Sequence, residues 1–285
     1  KGHIDFNIRE AIRQGVDPIV AVKVACHHAA RYFLLNNRGA IAPGYLADFV
    51  VIDSFQEFNI LQVFKKGEEL YDGRTVRDFA SPEIDPYLTE KAHDTFHLSR
   101  LTAEDFAERR PRGIIGMVPG EIVTVDQGYS DHIDAEWDIL KIAVIERHKN
   151  TRHIGVGYLQ GYGLKRGAVA TSVSHDSHNI IVVGANEADM AAAANRVAEN
   201  KGGIVVMEDG QIKGEVVLAI AGLMSDDTLE HVNRDLEAAK DAAFALGVSR
   251  EIDPFMTLSF MSLPVIPTLR LTTRGVIDVA KQQYV

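Results

Sequence analysis

The chain has 285 residues, 46% of them apolar and 25% charged, a composition that folds around a sizeable core and excludes disorder. Thirty Lys and Arg against forty Asp and Glu leave a formal charge of −10, which argues against a broad phosphate-binding face and so against nucleic acid as the main partner. The single cysteine, Cys26, excludes an internal disulfide and a multi-cysteine zinc site. With no run of 18 apolar residues to span a membrane and no basic-then-apolar leader, a cytoplasmic protein is expected.

Ile4, Ile8, Ala11 and Ile12 recur at helical spacing and Gly15 follows as a stop. Asp17-Pro18 restarts a helix, with Asp17 as N-cap, Pro18 at the first helical position and an end near Phe33. At Asn36 the character changes. A turn-rich run, Gly39 to Gly44, leads into a buried strand over 47–53, and a hairpin over 60–64 and 68–71 turns at Lys66-Gly67. One strand and one hairpin make a weak sheet, so these strands are expected to need partners. Residues 74–94, with Pro82, Pro86 and many charges, read as a linker.

An α/β pattern follows. Strands are predicted over 114–118, 121–125, 139–145, 154–159, 168–170 and 180–183, then a helix over 187–200. Strands over 204–207 and 216–221 are expected to pair around Asp209-Gly210. The longest helix is predicted over 226–246, ended by Gly247, and the tail, 258–279, reads as loop and strand.

Familiar catalytic signatures fail. Gly155-Val156-Gly157 opens like a dinucleotide fingerprint, but Gln160 stands where the third glycine is required. There is no Gly-Lys-Ser/Thr phosphate loop, no His-Glu-x-x-His and no nucleophile elbow. A cytidine-type deaminase site needs paired cysteines. The adjacent His27 and His28 face different directions on a helix, which suits packing or solvation. Asp48 is expected to fix its turn, Asp131-His132 could form a binding loop, and Lys165 and Arg166 read as solvated.

The exceptional stretch runs from Thr171 to Asn179 and holds one apolar residue, Val173, directly before a buried strand. Its His175, Asp176 and His178 could bind a metal, relay protons or hydrogen-bond a heteroaromatic ligand. The plainer reading is a polar turn in which Asp176 and Asn179 cap backbone amides.

The run Gly39-x-Ile41-x-Pro43-Gly44-x-x-Ala47-Asp48-Phe49-Val50-Val51 resembles the strand-and-turn signature near the end of the metal-dependent amidohydrolases. Asp17-Pro18-x-x-Ala21 through Ala29-Ala30-Arg31-Tyr32-Phe33 is similar to that family's closing helix. Lys1-Gly2-His3-Ile4-Asp5, the Ser174–Asn179 loop, and Ser259-Phe260-Met261-Ser262-Leu263-Pro264-Val265-Ile266-Pro267 narrow the resemblance to the bacterial adenine deaminases, over essentially the whole chain.

The resemblance implies hydrolysis of adenine to hypoxanthine and ammonia, in purine salvage, by a metal-bound hydroxide in a (β/α)₈ barrel. It implies a divalent metal (Mn, Fe or Zn) as cofactor. The family's His-x-His is missing, and its last-strand Asp is expected just upstream of Lys1, so the metal ligands are expected outside this chain. The expected fold is α/β and α+β. Terminal helices of a TIM-barrel amidohydrolase occupy 1–35, part of a small β-sandwich 36–73, a linker 74–94, and a complete α/β C-terminal domain with a mixed sheet 95–285. The chain is thus expected to be the C-terminal portion of a larger enzyme, inactive alone, with the barrel portion as partner. A homo-oligomer is expected through the apolar tail around Met256–Leu263. Within this chain Ser174, His175, Asp176, His178 and Asn179 are the expected substrate-binding lid. Two alternatives remain open: another amidohydrolase acting on a cyclic amide, and a non-catalytic oligomerisation or regulatory module.

Overall fold

The computed structural model describes residues 3–78, 82–108 and 110–285; Lys1 and Gly2 of the resemblance above lie outside them. The chain divides into two compact units, Lys1–Glu83 and Ile84–Val285.

In the first unit α1 (Ile4–Arg13) is followed by α2 (Pro18–Lys23), which runs through a π-helical turn (Val24–His28) into α3 (Ala29–Tyr32). Asp17 starts α2 as expected, its carboxylate accepting from the Val20 amide at 3.0 Å. Three antiparallel strands, β1 (Phe49–Ile52), β2 (Ile60–Lys65) and β3 (Glu68–Tyr71), form a sheet in that order. Asp48 has a structural role, but the turn its carboxylate holds is the one between β2 and β3, where it accepts from the Lys66 amide at 2.8 Å, and it pairs with Arg38. Ile8, Ala21 and Phe58 form a small shared core. Much apolar surface stays uncovered: Ile19, Val24 and Phe33 are 53%, 55% and 69% exposed.

The second unit opens with α4 (Pro86–His93), capped by Asp85. The stretch read as linker is therefore partly helical, because Asp85-Pro86 is the same cap-and-first-turn pair that starts α2. Eight strands follow: β4 (Arg112–Met117), β5 (Thr124–Ser130), β6 (Ile139–Ile145), β7 (Ile154–Gln160), β8 (Ala168–Thr171), β9 (Ile180–Gly184), β10 (Gly203–Glu208) and β11 (Gln211–Val217). They make one mixed sheet in the order β11-β10-β8-β9-β6-β7-β4-β5. Only β4 and β7 pair in parallel; the other neighbours are antiparallel.

The central strands are apolar runs because both sheet faces are covered. Alternate residues of β6 divide between them. Leu140, Ile142 and Val144 join a core with α6 (Leu229–Ala245), α7 (Pro254–Met261) and the hairpin of β12 (Leu269–Thr272) and β13 (Gly275–Asp278), to which β14 (Gln283–Tyr284) adds. Ala143 and Ile145 pack on the other face with α5 (Glu187–Glu199) and Phe106.

Three expectations are corrected. β5 begins at Thr124, not Glu121, and β11 runs over Gln211–Val217, directly from the turn at Asp209-Gly210, rather than over 216–221. The start of the predicted tail, 258–261, is helix. Asp253 caps α7 through the amides of Phe255 (3.0 Å) and Met256 (2.9 Å), and the helix hides its periodicity because Pro254, Phe255, Leu258 and Met261 are all buried. Within the apolar stretch expected to form an oligomer interface, Leu258 and Met261 are buried, Met256 is 48% exposed, and Phe260 and Leu263 are partly exposed. Among the described residues no helix is long and apolar enough to cross a membrane.

Candidate functional site

The polar stretch singled out in the sequence links β8 to β9, beside the end of α7. Two motifs that carry the resemblance, far apart in sequence, meet there. The Ser174 and Ser262 hydroxyls lie 2.6 Å apart, and the Ser262 hydroxyl also contacts the His175 carbonyl at 2.9 Å. The His175 amide donates to the Ser259 carbonyl at 3.0 Å. The His175 ring lies against Phe260, with centroids 4.9 Å apart. Within the loop the His178 amide donates to the Ser174 carbonyl at 2.6 Å, closing a tight turn.

A second anchor comes from the end of β6. Arg147 is 2% exposed. Its Nε donates to the His178 carbonyl at 2.6 Å, one terminal nitrogen to the Thr95 carbonyl at 2.7 Å, and the other to the Ala221 carbonyl at 3.0 Å. The guanidinium also lies 4.1 Å from the centre of the Phe96 ring. Burial brings Arg147 down to about 10. Next to it, His148 Nε2 contacts the Ser177 carbonyl at 2.8 Å. The loop is thus held through its carbonyls, and its side chains sort into separate roles.

Ser174 is fully buried and consumed by Ser262, so its part is positional. His175 and His178 place their rings 6.1 Å apart. Asp176 is exposed and, with the nearly buried Asn179, lines a cleft shared with the segment after α7 and the β12–β13 hairpin. Neither His178 Nδ1 nor Asn179 Oδ1 has a hydrogen-bond partner. Two adjacent residues with unpaired buried polar atoms are unusual, because such atoms carry an uncompensated desolvation cost. The metal-binding reading of this loop finds no support: the described residues hold no group of three or more His, Cys, Asp or Glu able to grip an ion.

Other candidates fall away from the loop. Asp131 and His132 pair with each other at 2.7 Å while 61% and 70% exposed. Arg166 pairs with Glu208, and Lys165 reaches the Ala135 carbonyl. His27 and His28 belong to the first unit, their ring centroids 6.0 Å apart. Arg147, His148 and Phe260 were not legible as site residues; the one signal for Arg147 is a cation two residues past a strand that is apolar but for Lys141.

Burial, reinforced by His175 and Arg147 and opposed by Asp176, holds the His178 imidazole below its ordinary value of 6.5. His148 adds to the lowering. The unfolded chain therefore takes up this proton at higher pH than the folded one. The stabilisation is complete above about 6.5 and is lost as the pH falls through the window below it. The Hε1 resonance of His178 is expected to titrate with a midpoint below 6.5. A normal or raised midpoint would contradict the burial assigned to the ring.

Two family models match the chain: the adenine deaminase C-terminal domain over residues 120–283 and the amidohydrolase family over residues 4–70. Adenine deaminase 1 of Rhizobium etli is 43% identical over 99% of this chain and 50% of its own length. The adenine deaminase of Sinorhizobium fredii is 42% identical over the same shares. That of Brucella melitensis is 42% identical over 100% of this chain and 49% of its own. The chain spans about half the length of the curated relatives it matches.

Proposed function

The chain belongs to the adenine deaminase family, and from that premise we propose that it forms part of an enzyme that hydrolyses adenine to hypoxanthine and ammonia. The observation that carries the reading is the match of the C-terminal-domain model over 120–283, joined to relatives named adenine deaminase along the whole chain. The reaction adds water at the amino-bearing ring carbon and expels ammonia. The family's divalent metal would activate that water, but the described residues offer it no donor set, so no step is assigned to it here. In this reading its ligands belong to the barrel of the complete enzyme.

The first unit then supplies terminal helices of that barrel and part of a small β-sandwich. In support, Ile4, Ile8, Val16, Ala21 and Val24 line an apolar groove of about 480 Å³, a surface that ordinarily packs against something. The 174–179 loop of the second unit binds or encloses the purine. Ser174 sets the loop against α7, His178 stays neutral and offers Nδ1, and Asp176 and Asn179 accept from N–H groups. Purine salvage in the cytoplasm is the setting this activity suits.

Ammonia release from adenine, measured on this chain alone and mixed with the N-terminal half of the Rhizobium etli relative, tests the reading. No release is expected alone, with activity in the mixture. Release by the chain alone would overturn the assignment of the metal centre to the barrel. A ring-opened product in place of ammonia would overturn the reaction.

A further inference from the structure

We infer that the cleft beside the 174–179 loop is a binding site for an uncharged, N–H-bearing nitrogen heterocycle, and that Asn179 selects it. The inference deepens the reading above, in which this loop meets the purine, and rests on it for the choice of probe. The cleft encloses about 370 Å³, within the roughly 300–1,000 Å³ usual for small-molecule sites. Its apolar walls are Val144, Pro264, Val265 and Leu271, surfaces that suit the faces of a ring.

Its polar lining carries no cation: beside Asn179 and Asp176 stand only the hydroxyl residues Ser177, Ser262, Thr272 and Thr273. Asn179 is 7% exposed and its Oδ1 has no donor. Asp176 adds an exposed carboxylate, and no Lys, Arg or His lines the cleft. A lining with a carboxylate and no cation disfavours phosphate, and its unpaired buried acceptor suits an N–H donor. Ser262 also lines the cleft but is committed to Ser174 and His175, so buried recognition falls to Asn179. The carboxamide is also held in place. The His178 carbonyl before it is gripped by Arg147, and Ile180 after it is the first residue of β9. A site built to pair with an N–H discriminates strongly against ligands that cannot supply one.

Calorimetric titration of the full chain with adenine, and separately with AMP, tests this. Adenine is expected to bind, with AMP at least about tenfold weaker because its phosphate meets Asp176 and no cation. Asn179→Ala is expected to weaken adenine about tenfold or more, whereas Asn179→Asp keeps the Oδ1 acceptor and retains more of the affinity. Val265 is 71% exposed, so Val265→Trp fills the cleft without touching the core and is expected to abolish binding at an unchanged unfolding midpoint. Failure of the unaltered chain to bind adenine, or adenine affinity in Asn179→Ala or Val265→Trp equal to that of the unaltered chain, would overturn the inference. Ammonia release by the mixture described above would then still stand, while its loss alone would overturn the reaction and leave the binding result intact.

Discussion

Replacing Arg147 by Met is expected to lower the unfolding free energy by about 3 kcal/mol, because the buried guanidinium donates to three partly buried carbonyls and each unpaired acceptor costs roughly 1–3 kcal/mol before relaxation. The Met side chain restores the apolar contact with Phe96 but donates nothing. Arg147→Lys is expected to fall between, since an ammonium cannot reach all three carbonyls in the plane a guanidinium spans. The surroundings are shaped to this residue. A Cβ at Gly222 would lie 2.9 Å from an Arg147 terminal nitrogen and 2.9 Å from the Phe96 ring. Urea denaturation reports the global loss, and amide exchange at His178 reports release of the loop. Wild-type stability in Arg147→Met would mean that the carbonyls find other donors and that the clamp is not what holds the loop.

The second large effect concerns Gly155, part of the sequence that imitates a dinucleotide fingerprint. Here the glycine serves packing. A methyl group at Gly155 would reach the Gly275 nitrogen at 2.6 Å and come closer still to the Thr272 carbonyl. Both are backbone atoms of the β12–β13 hairpin, so neither can swing aside. Gly155→Ala is expected to lift the hairpin off β7 and cost about 3 kcal/mol, the upper end for overpacking. Thr272 and Thr273 line the cleft, so adenine binding should be lost with it. Gly157→Ala is the internal comparison: its nearest obstacle is the Val276 side chain, which can move, and a smaller loss is expected. Equal losses in the two variants would show that the close approach at Gly155 is not the controlling contact.

How much was legible follows from how local each signal is. β6, β7 and β9 could be read because each is a short apolar run bounded by polar or turn residues. α5 could be read from the helical spacing of Met190, Ala194 and Val197. α7 could not, because its less buried positions include the apolar Met256 and Phe260, so it has no polar face to mark its turn. The fingerprint-like glycines were ambiguous for a similar reason. Glycine marks a close approach but does not say whether a ligand or a strand arrives, and here it is the β12–β13 hairpin.

The 174–179 loop stood out in the sequence as a polar stretch before a buried strand, which marked it as a candidate site beside the plainer reading of a polar turn. Composition and local pattern also sufficed for the mixed α/β class and the cap at Asp17, since each depends on residues close along the chain. Which loop atoms are committed and which are free was decided only by contacts across long separations. Ser174 is spent on Ser262, 88 residues away, and the His178 carbonyl on Arg147, 31 residues away. His178 Nδ1 and Asn179 Oδ1 stay unpaired in a fold that closes around them, and no local pattern separates them from Ser174 in the same loop. Hydrogen-bond satisfaction is a property of the folded neighbourhood rather than of the residue, which is why the sequence by itself could mark the place and only the tertiary structure could say which atoms there are left to bind.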